Sequence, residues 1–419
     1  MPAALQIQVG TGHIFNGCNI QNMWYKEDRE WSRQTENSSY IFPLLQRSIY
    51  ATKPCKWTQR PGICQDIFCS SDGTSFVTRH DDYGIRQYLI PDMKEENDGQ
   101  LIPFTRTFQS HSIVSSQVHP GYSLYDDDGQ FNLILIACRE LPLKLFTLQG
   151  DGQYMNLRKY NTKNRNSDNW EISHAIDWAN ENHFLTGSVR NKVSLFNAER
   201  EEPIWVSQTT RGKSVSKSIV SCFDQRSDGH FADYRHRVVG TYRSELYLMD
   251  CRMQNTSLLY RSQVGGGFIQ LLRSVNGHYL FVVKRNSDVI EVLETRNSYR
   301  KVNQLKLPFK LGNQKHKACL TATNGLTIGT DHGSIINWNS CVVEFGGIDR
   351  YSSADTGDIH DIDCESEYTT SFDSSRINIV EQFPAEPELF ITSHSPDKMT
   401  LAPRESIASG ISIVRLFTM

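Results

Sequence analysis

"FLTGSVRNKVSLFNAER", residues 184–200, contains two short apolar runs joined by a polar turn. Leu185 and Thr186 close the first run. Arg190, Asn191 and Lys192 form the turn, and Val193, Leu195 and Phe196 open the second. Period-two alternation on both sides of a polar tripeptide predicts a β-hairpin. An isolated hairpin would send the search toward a catalytic cleft, whereas a repeated one describes a platform.

The pattern recurs. "FVTRHDDYGIRQYLI" (76–90), "LIACRELPLKLFTL" (135–148), "VVGTYRSELYLMD" (238–250), "LFVVKRNSDVIEVLE" (280–294) and "LTIGTDHGSIINWN" (326–339) follow the same order, and "GISIVRLF" (410–417) supplies a last second strand. The cores IRQY, LKLF, VSLF, LYLM, IEVL, IINW and VRLF end at 88, 146, 196, 249, 293, 338 and 417, so the intervals are 58, 50, 53, 44, 45 and 79. A four-stranded propeller blade takes roughly 40–45 residues, so two intervals are near minimal and the rest carry insertions. Turns such as "SSDGTSF" (70–76) and "SVNGHYLF" (274–281) precede the hairpins, with alternating strands such as "SIVSCFD" (218–224) before them. The expected fold is all-β: a seven-bladed, WD-repeat-like β-propeller with degenerate repeats, which leaves few sheet edges to aggregate. Residues 1–43 are expected to form an N-terminal arm, either a partner-binding tail or packed on the propeller, and 44–419 the propeller, with an insertion at about 381–408 before the last strand.

Composition agrees with a large packed domain. The 419 residues are 38% hydrophobic and 22% charged, outside the regime of disorder, and the net charge of −3 excludes nucleic-acid binding through bulk charge. "MPAALQIQVG" lacks a signal peptide's basic start and apolar run, and "LILIAC" (133–138) is too short to span a bilayer. A soluble intracellular protein is expected, with no membrane association. Ten scattered cysteines without a C-x-x-C read as free thiols.

No catalytic set emerges. G-x-S-x-G is absent, and "RGKS" (211–214) lacks the leading glycine of a phosphate loop, since position 207 is Ser. "HKAC" (316–319) and "CQDIFC" (64–69) offer ligand pairs but read as strands with buried thiols, and "DIHDID" (358–363) lacks the glycine and final Glu of a calcium loop. A non-enzymatic protein is expected, with no metal, no cofactor and no small-molecule substrate.

Four basic clusters are the candidate contacts for RNA or a ribonucleoprotein. They are Arg158, Lys159, Lys163 and Arg165 with Tyr160 as a stacking ring; Arg211, Lys213 and Lys217; Arg235 and Arg237; and Lys306, Lys310, Lys315 and Lys317. Phosphate contact by such groups is sequence-independent, and aromatic stacking adds selectivity for unpaired bases.

"KPCKWTQRPGICQDIFCSSDGTSFVTRHDDYGIRQYLIP" (53–91) resembles the opening blade of the telomerase Cajal-body WD-repeat family, through Cys55, Lys56 and Trp57, then Asp72 and Gly73, then Ile85, Arg86, Tyr88 and Pro91. "YN" (160–161) with "EISHAIDW" (171–178), then "SIVSCFD", "GGGFIQLLRSVNGHYLFVVKRNSD" (265–288) and "GNQKHKACLTATNGLTIGTDHGSIINW" (312–338), are similar to later blades, in order. The short basic-poor N-terminus and irregular blades are similar to the divergent fungal branch. That resemblance implies a nuclear scaffold in pre-mRNA splicing, partnered by spliceosomal snRNP proteins or small nuclear RNA. The animal branch implies a chaperone of small Cajal-body or telomerase RNA. A ubiquitin-ligase substrate receptor is a distant third reading.

Overall fold

The computed structural model describes residues 5–11, 63–90, 101, 103, 105–125, 129–148, 156–163, 169–207, 217–226, 236–253, 256–263, 265–347, 359–369, 376–384, 386–397 and 409–416. Among them the protein is mostly β, and its strands fall into seven antiparallel quartets. Quartet 1 comprises Cys64–Cys69, Ser75–His80, Gly84–Leu89 and Thr105–Phe108; quartet 2 comprises Ile113–Val118, Leu133–Cys138, Leu143–Thr147 and Asn156–Tyr160. Quartet 3 is Ala175–Asn180, His183–Gly187, Val193–Asn197 and Trp205–Val206; quartet 4 is Val220–Arg226, His236–Thr241, Glu245–Asp250 and Ser257–Arg261. Quartet 5 is Phe268–Arg273, Tyr279–Lys284, Val289–Glu294 and Arg300–Lys306; quartet 6 is Cys319–Leu320, Leu326–Gly329, Ser334–Trp338 and Ser366–Thr369. Quartet 7 is Arg376–Gln382, Leu389–Ser395, Gly410–Leu416 and, from the other end of the chain, Leu5–Gly10.

The opening stretch forms the second and third strands of quartet 3, with Leu185 opposite Leu195 and Phe184 opposite Phe196. Its turn places Arg190 and Asn191 at φ of 61° and 56° and is closed by Ser188 N–H donating to Lys192 O at 2.9 Å. Asn tolerates this left-handed backbone well. Gly187 lies where a Cβ would sit 2.2 Å from Val220 Cγ1, so the bare backbone lets quartet 4 come close.

Each described core cluster joins two consecutive quartets. Val77 and Ile85 of quartet 1 meet Val118 and Ile134 of quartet 2, and the series runs on through quartets 3, 4, 5 and 6. Ile335 and Tyr368 of quartet 6 then meet Ile377 and Phe390 of quartet 7. Ile379 and Ile413 of quartet 7 pack in turn with Ile67 and Phe76 of quartet 1. The first strands of quartets 4 and 5 also pair in parallel, Asp224 opposite Leu271, which merges those quartets into one sheet.

One expected boundary is corrected. The segment 381–408 is not simply an insertion, because Leu389–Ser395 is the second strand of quartet 7 and is paired on both sides. The long final interval arises earlier. Between the third and fourth strands of quartet 6 the chain forms a helix, Ser340–Phe345, capped by the Asn339 side chain, and a strand, His360–Ile362, that adds in parallel to the outer edge of quartet 5. In the expected arm, Leu5–Gly10 pairs antiparallel with Gly410–Leu416. Among the described residues no helix is long and apolar enough to cross a membrane.

Candidate functional site

The first strands of all seven quartets line one cavity of about 770 Å³, with Phe68, Gln117, Trp178, Gln225, Gln270, Cys319 and Glu381 each contributed by a different quartet. Two groups of buried charges lie at this cavity.

Around Asp224, Arg237 Nε donates to Oδ1 at 2.9 Å, and Arg273 Nε and Nη2 donate to Oδ2 at 2.9 and 2.6 Å. Arg237 Nη2 also donates to Asp177. Burial would raise the Asp224 carboxyl, but Arg237 and Arg273 override it and hold it below the usual range. Burial wins at Asp177, which is raised despite Arg237.

Around Asp66, Arg79 Nη2 donates to Oδ2 at 3.1 Å and Lys315 Nζ at 2.6 Å, while Lys317 Nζ pairs with the other oxygen. Against its own burial the three cations push the Asp66 carboxyl well down. Burial brings Lys315 down to about 7, with Asp66 opposing and the neighbouring cations adding. Glu381, nearby, is raised to about 7 by burial, with Lys317 opposing and Asp66 adding. Among the described residues no three His, Cys, Asp or Glu side chains converge as a metal site requires.

The structure divides the four basic clusters. Lys159 is exposed and Arg158 half-exposed on the fourth strand of quartet 2, and Lys163 is exposed with its Nζ 5.2 Å above the Trp170 ring. Tyr160 is corrected: it is buried, its hydroxyl donates to Ala198 O at 2.7 Å, and Phe184 and Phe196 meet its ring edge-on. It offers no stacking face to solvent. Arg237 is corrected likewise, since it is 1% exposed and committed to Asp224 and Asp177. Lys315 and Lys317 are half-buried against Asp66. Lys217 and Lys310 are exposed, and Lys306 is exposed 3.9 Å from Asp363. Arg165, Arg211, Lys213 and Arg235 lie outside the described residues.

Sequence reasoning missed the acidic half of the cavity. The signal was present: "CQDIFC", "AIDWAN" and "IVSCFDQR" each place one Asp (Asp66, Asp177, Asp224) inside an otherwise alternating first strand. A lone carboxylate in a buried strand requires a buried cation.

Among known proteins, the chain is 51% identical over 419 residues to Protein SWT21 of Zygosaccharomyces rouxii, covering all of this chain and 99% of that one. The chain belongs to the SWT21 family. It is also 40% identical over 416 residues to Protein SWT21 of Vanderwaltozyma polyspora, covering 97% of this chain and 96% of that one. Protein SWT21 of Kluyveromyces lactis is 35% identical over 426 residues, covering 98% of this chain and the whole of that one. No family model matches the chain. The likeness to SWT21 relatives spans every quartet and the cavity they line.

Proposed function

We propose that the seven quartets close into a seven-bladed, WD-repeat-like β-propeller and that the protein is a non-enzymatic nuclear scaffold in pre-mRNA splicing. It associates with spliceosomal snRNPs and stabilises their assembly or their hold on splice sites. The observation that carries the architecture is one cavity lined by the first strand of every quartet. The cyclic order of the core clusters, with quartet 7 packed on quartet 1, supports it too. Arg237 and Lys317 at the cavity are paired with carboxylates of the same chain, which favours partner binding on loops and rims. A rigid ring presents several loop sets at once. The splicing role rests on the resemblance of the repeats to the fungal branch described above, and membership of the SWT21 family agrees with a fungal chain.

Crosslinked pull-down of the tagged protein from nuclear extract, followed by RNA sequencing, tests this. Spliceosomal snRNA is expected to be enriched, and charge reversal of the exposed Lys159, Lys163, Lys217, Lys306 and Lys310 is expected to weaken it. Enrichment of guide or telomerase RNA instead favours the RNA-chaperone reading. Recovery of no RNA overturns both and directs the search to protein partners.

A further inference from the structure

In each quartet the turn between second and third strands lies on the same side as the link into the next quartet. On that side, at quartets 3 to 5, an aromatic ring is exposed among cations. Tyr242, at the tip of the quartet 4 turn, is exposed. The Arg285 guanidinium sits over its ring at 4.8 Å, and His174 meets it edge-on at 6.5 Å. Burial and then the neighbouring Arg139 lower the His174 pKa, which favours the neutral imidazole.

The arrangement is built by the backbone. "GGG" at 265–267 runs between the two turns, where Gly266 N–H donates to Arg285 O at 2.6 Å and Arg285 N–H donates to Gly267 O at 3.0 Å. A Cβ on Gly267 would fall 2.5 Å from Tyr242 Cα, so glycine sets the approach of the two turns. Tyr242 N–H donates to Ile219 O at 3.0 Å, which brings exposed Lys217 to the same side. Arg139 and Arg243 are exposed there as well. Among the described residues none of Arg139, Lys217, Arg243 and Arg285 forms an ion pair, and Arg285 Nε is buried with no hydrogen-bond partner. The exposed carboxylates on these turns are Glu140 and Asp288.

We infer that this face binds single-stranded RNA, with Tyr242 stacking on a base and Arg139, Lys217, Arg243 and Arg285 contacting the flanking phosphates. The inference deepens the RNP reading above and rests on it. A π-face flanked by cations matches a nucleotide, which presents a base and a phosphate together. An acidic peptide would use the cations and leave the ring idle.

The test is fluorescence anisotropy of the full chain with a short labelled oligouridylate. Tyr242→Ala is expected to weaken binding by about tenfold or more and Tyr242→Phe by no more than about twofold, as a stacking contact requires. Arg285→Ala is expected to reduce the slope of log affinity against log salt by about 0.7. Unchanged affinity in Tyr242→Ala, equal loss in Tyr242→Phe, or Tyr242-dependent capture of an Asp/Glu-rich peptide but not RNA would each overturn the inference. Failure here with spliceosomal snRNA still recovered in the pull-down leaves the scaffold reading standing. Absence of snRNA from the pull-down is the failure of that reading.

Discussion

Arg237 reaches Asp224 along one face of quartet 4: its Nε lies 2.9 Å from Asp224 Oδ1, and both side chains are at most 2% exposed. Removing one member of a buried pair strands the other's charge, which costs about 3–5 kcal/mol. Asp224→Ala takes the carboxylate from Arg273 and leaves Arg237 with Asp177 alone, and is expected to fall in that range in urea denaturation. Arg252→Ala, which breaks a pair whose arginine is 74% exposed, is expected to leave the urea midpoint almost unchanged.

The two lysines of the fourth basic cluster should behave in opposite ways. Lys310 is exposed, so Lys310→Glu is expected to change stability by no more than about 0.5 kcal/mol. Lys317→Glu sets a second carboxylate against Asp66 and is expected to lower stability by several kcal/mol, about as much as breaking a buried pair. Thermal and urea unfolding of the two variants make the comparison.

Gly187 tests the closeness of quartets 3 and 4. Gly187→Ala drives a methyl into Val220 and is expected to cost about 1–3 kcal/mol. Combined with Val220→Ala, which opens space at the same point, the loss should be smaller than the sum of the singles. Simple additivity in that cycle would contradict the contact.

Acid should loosen the protein through two buried histidines. Burial lowers the pKa values of His119 and His316 to about 4, with their backbone carbonyl partners at Glu181 and Gly329 opposing. A histidine with a depressed folded pKa stays neutral in the fold while the unfolded chain takes up a proton. Its stabilising contribution is therefore whole above the unfolded value of 6.5 and is lost as pH falls toward 4. Urea midpoints are expected to decline over that window, and His119→Phe, which keeps a ring stacked near Phe131 and Trp178, should flatten part of the decline.

Much of the architecture was legible because turn chemistry and alternation are local. The cores IRQY, LKLF, VSLF, LYLM, IEVL and IINW all fall on third strands, and VRLF falls there as far as Leu416. Non-local facts were hidden. Nothing near Leu5 signals that it will pair with Leu416, and nothing near Leu389 distinguishes a strand from an insertion once the regular interval has been lost. At the candidate contacts, local charge marked the loops, but burial sorted them. Tyr160 and Arg237 read as surface groups in a polar stretch, yet alternation turns both inward. Tyr242 and Arg285 lie far apart in sequence, so only the glycine run between quartets 4 and 5 brings their pairing into being.

Ile411 N–H donates to Thr11 Oγ1 across 400 residues of chain. At a synthesis rate of roughly 5–20 residues per second, the strand at Leu5–Gly10 waits roughly 20–80 s for Gly410–Leu416 to exist. Through that interval the nascent chain carries an unzipped strand, and the other quartets can form without it. Completion of quartet 7 therefore waits until residues 410–416 have been made. Until then the hydrogen-bonding edge of whichever strand exists first stands open to pairing with another chain.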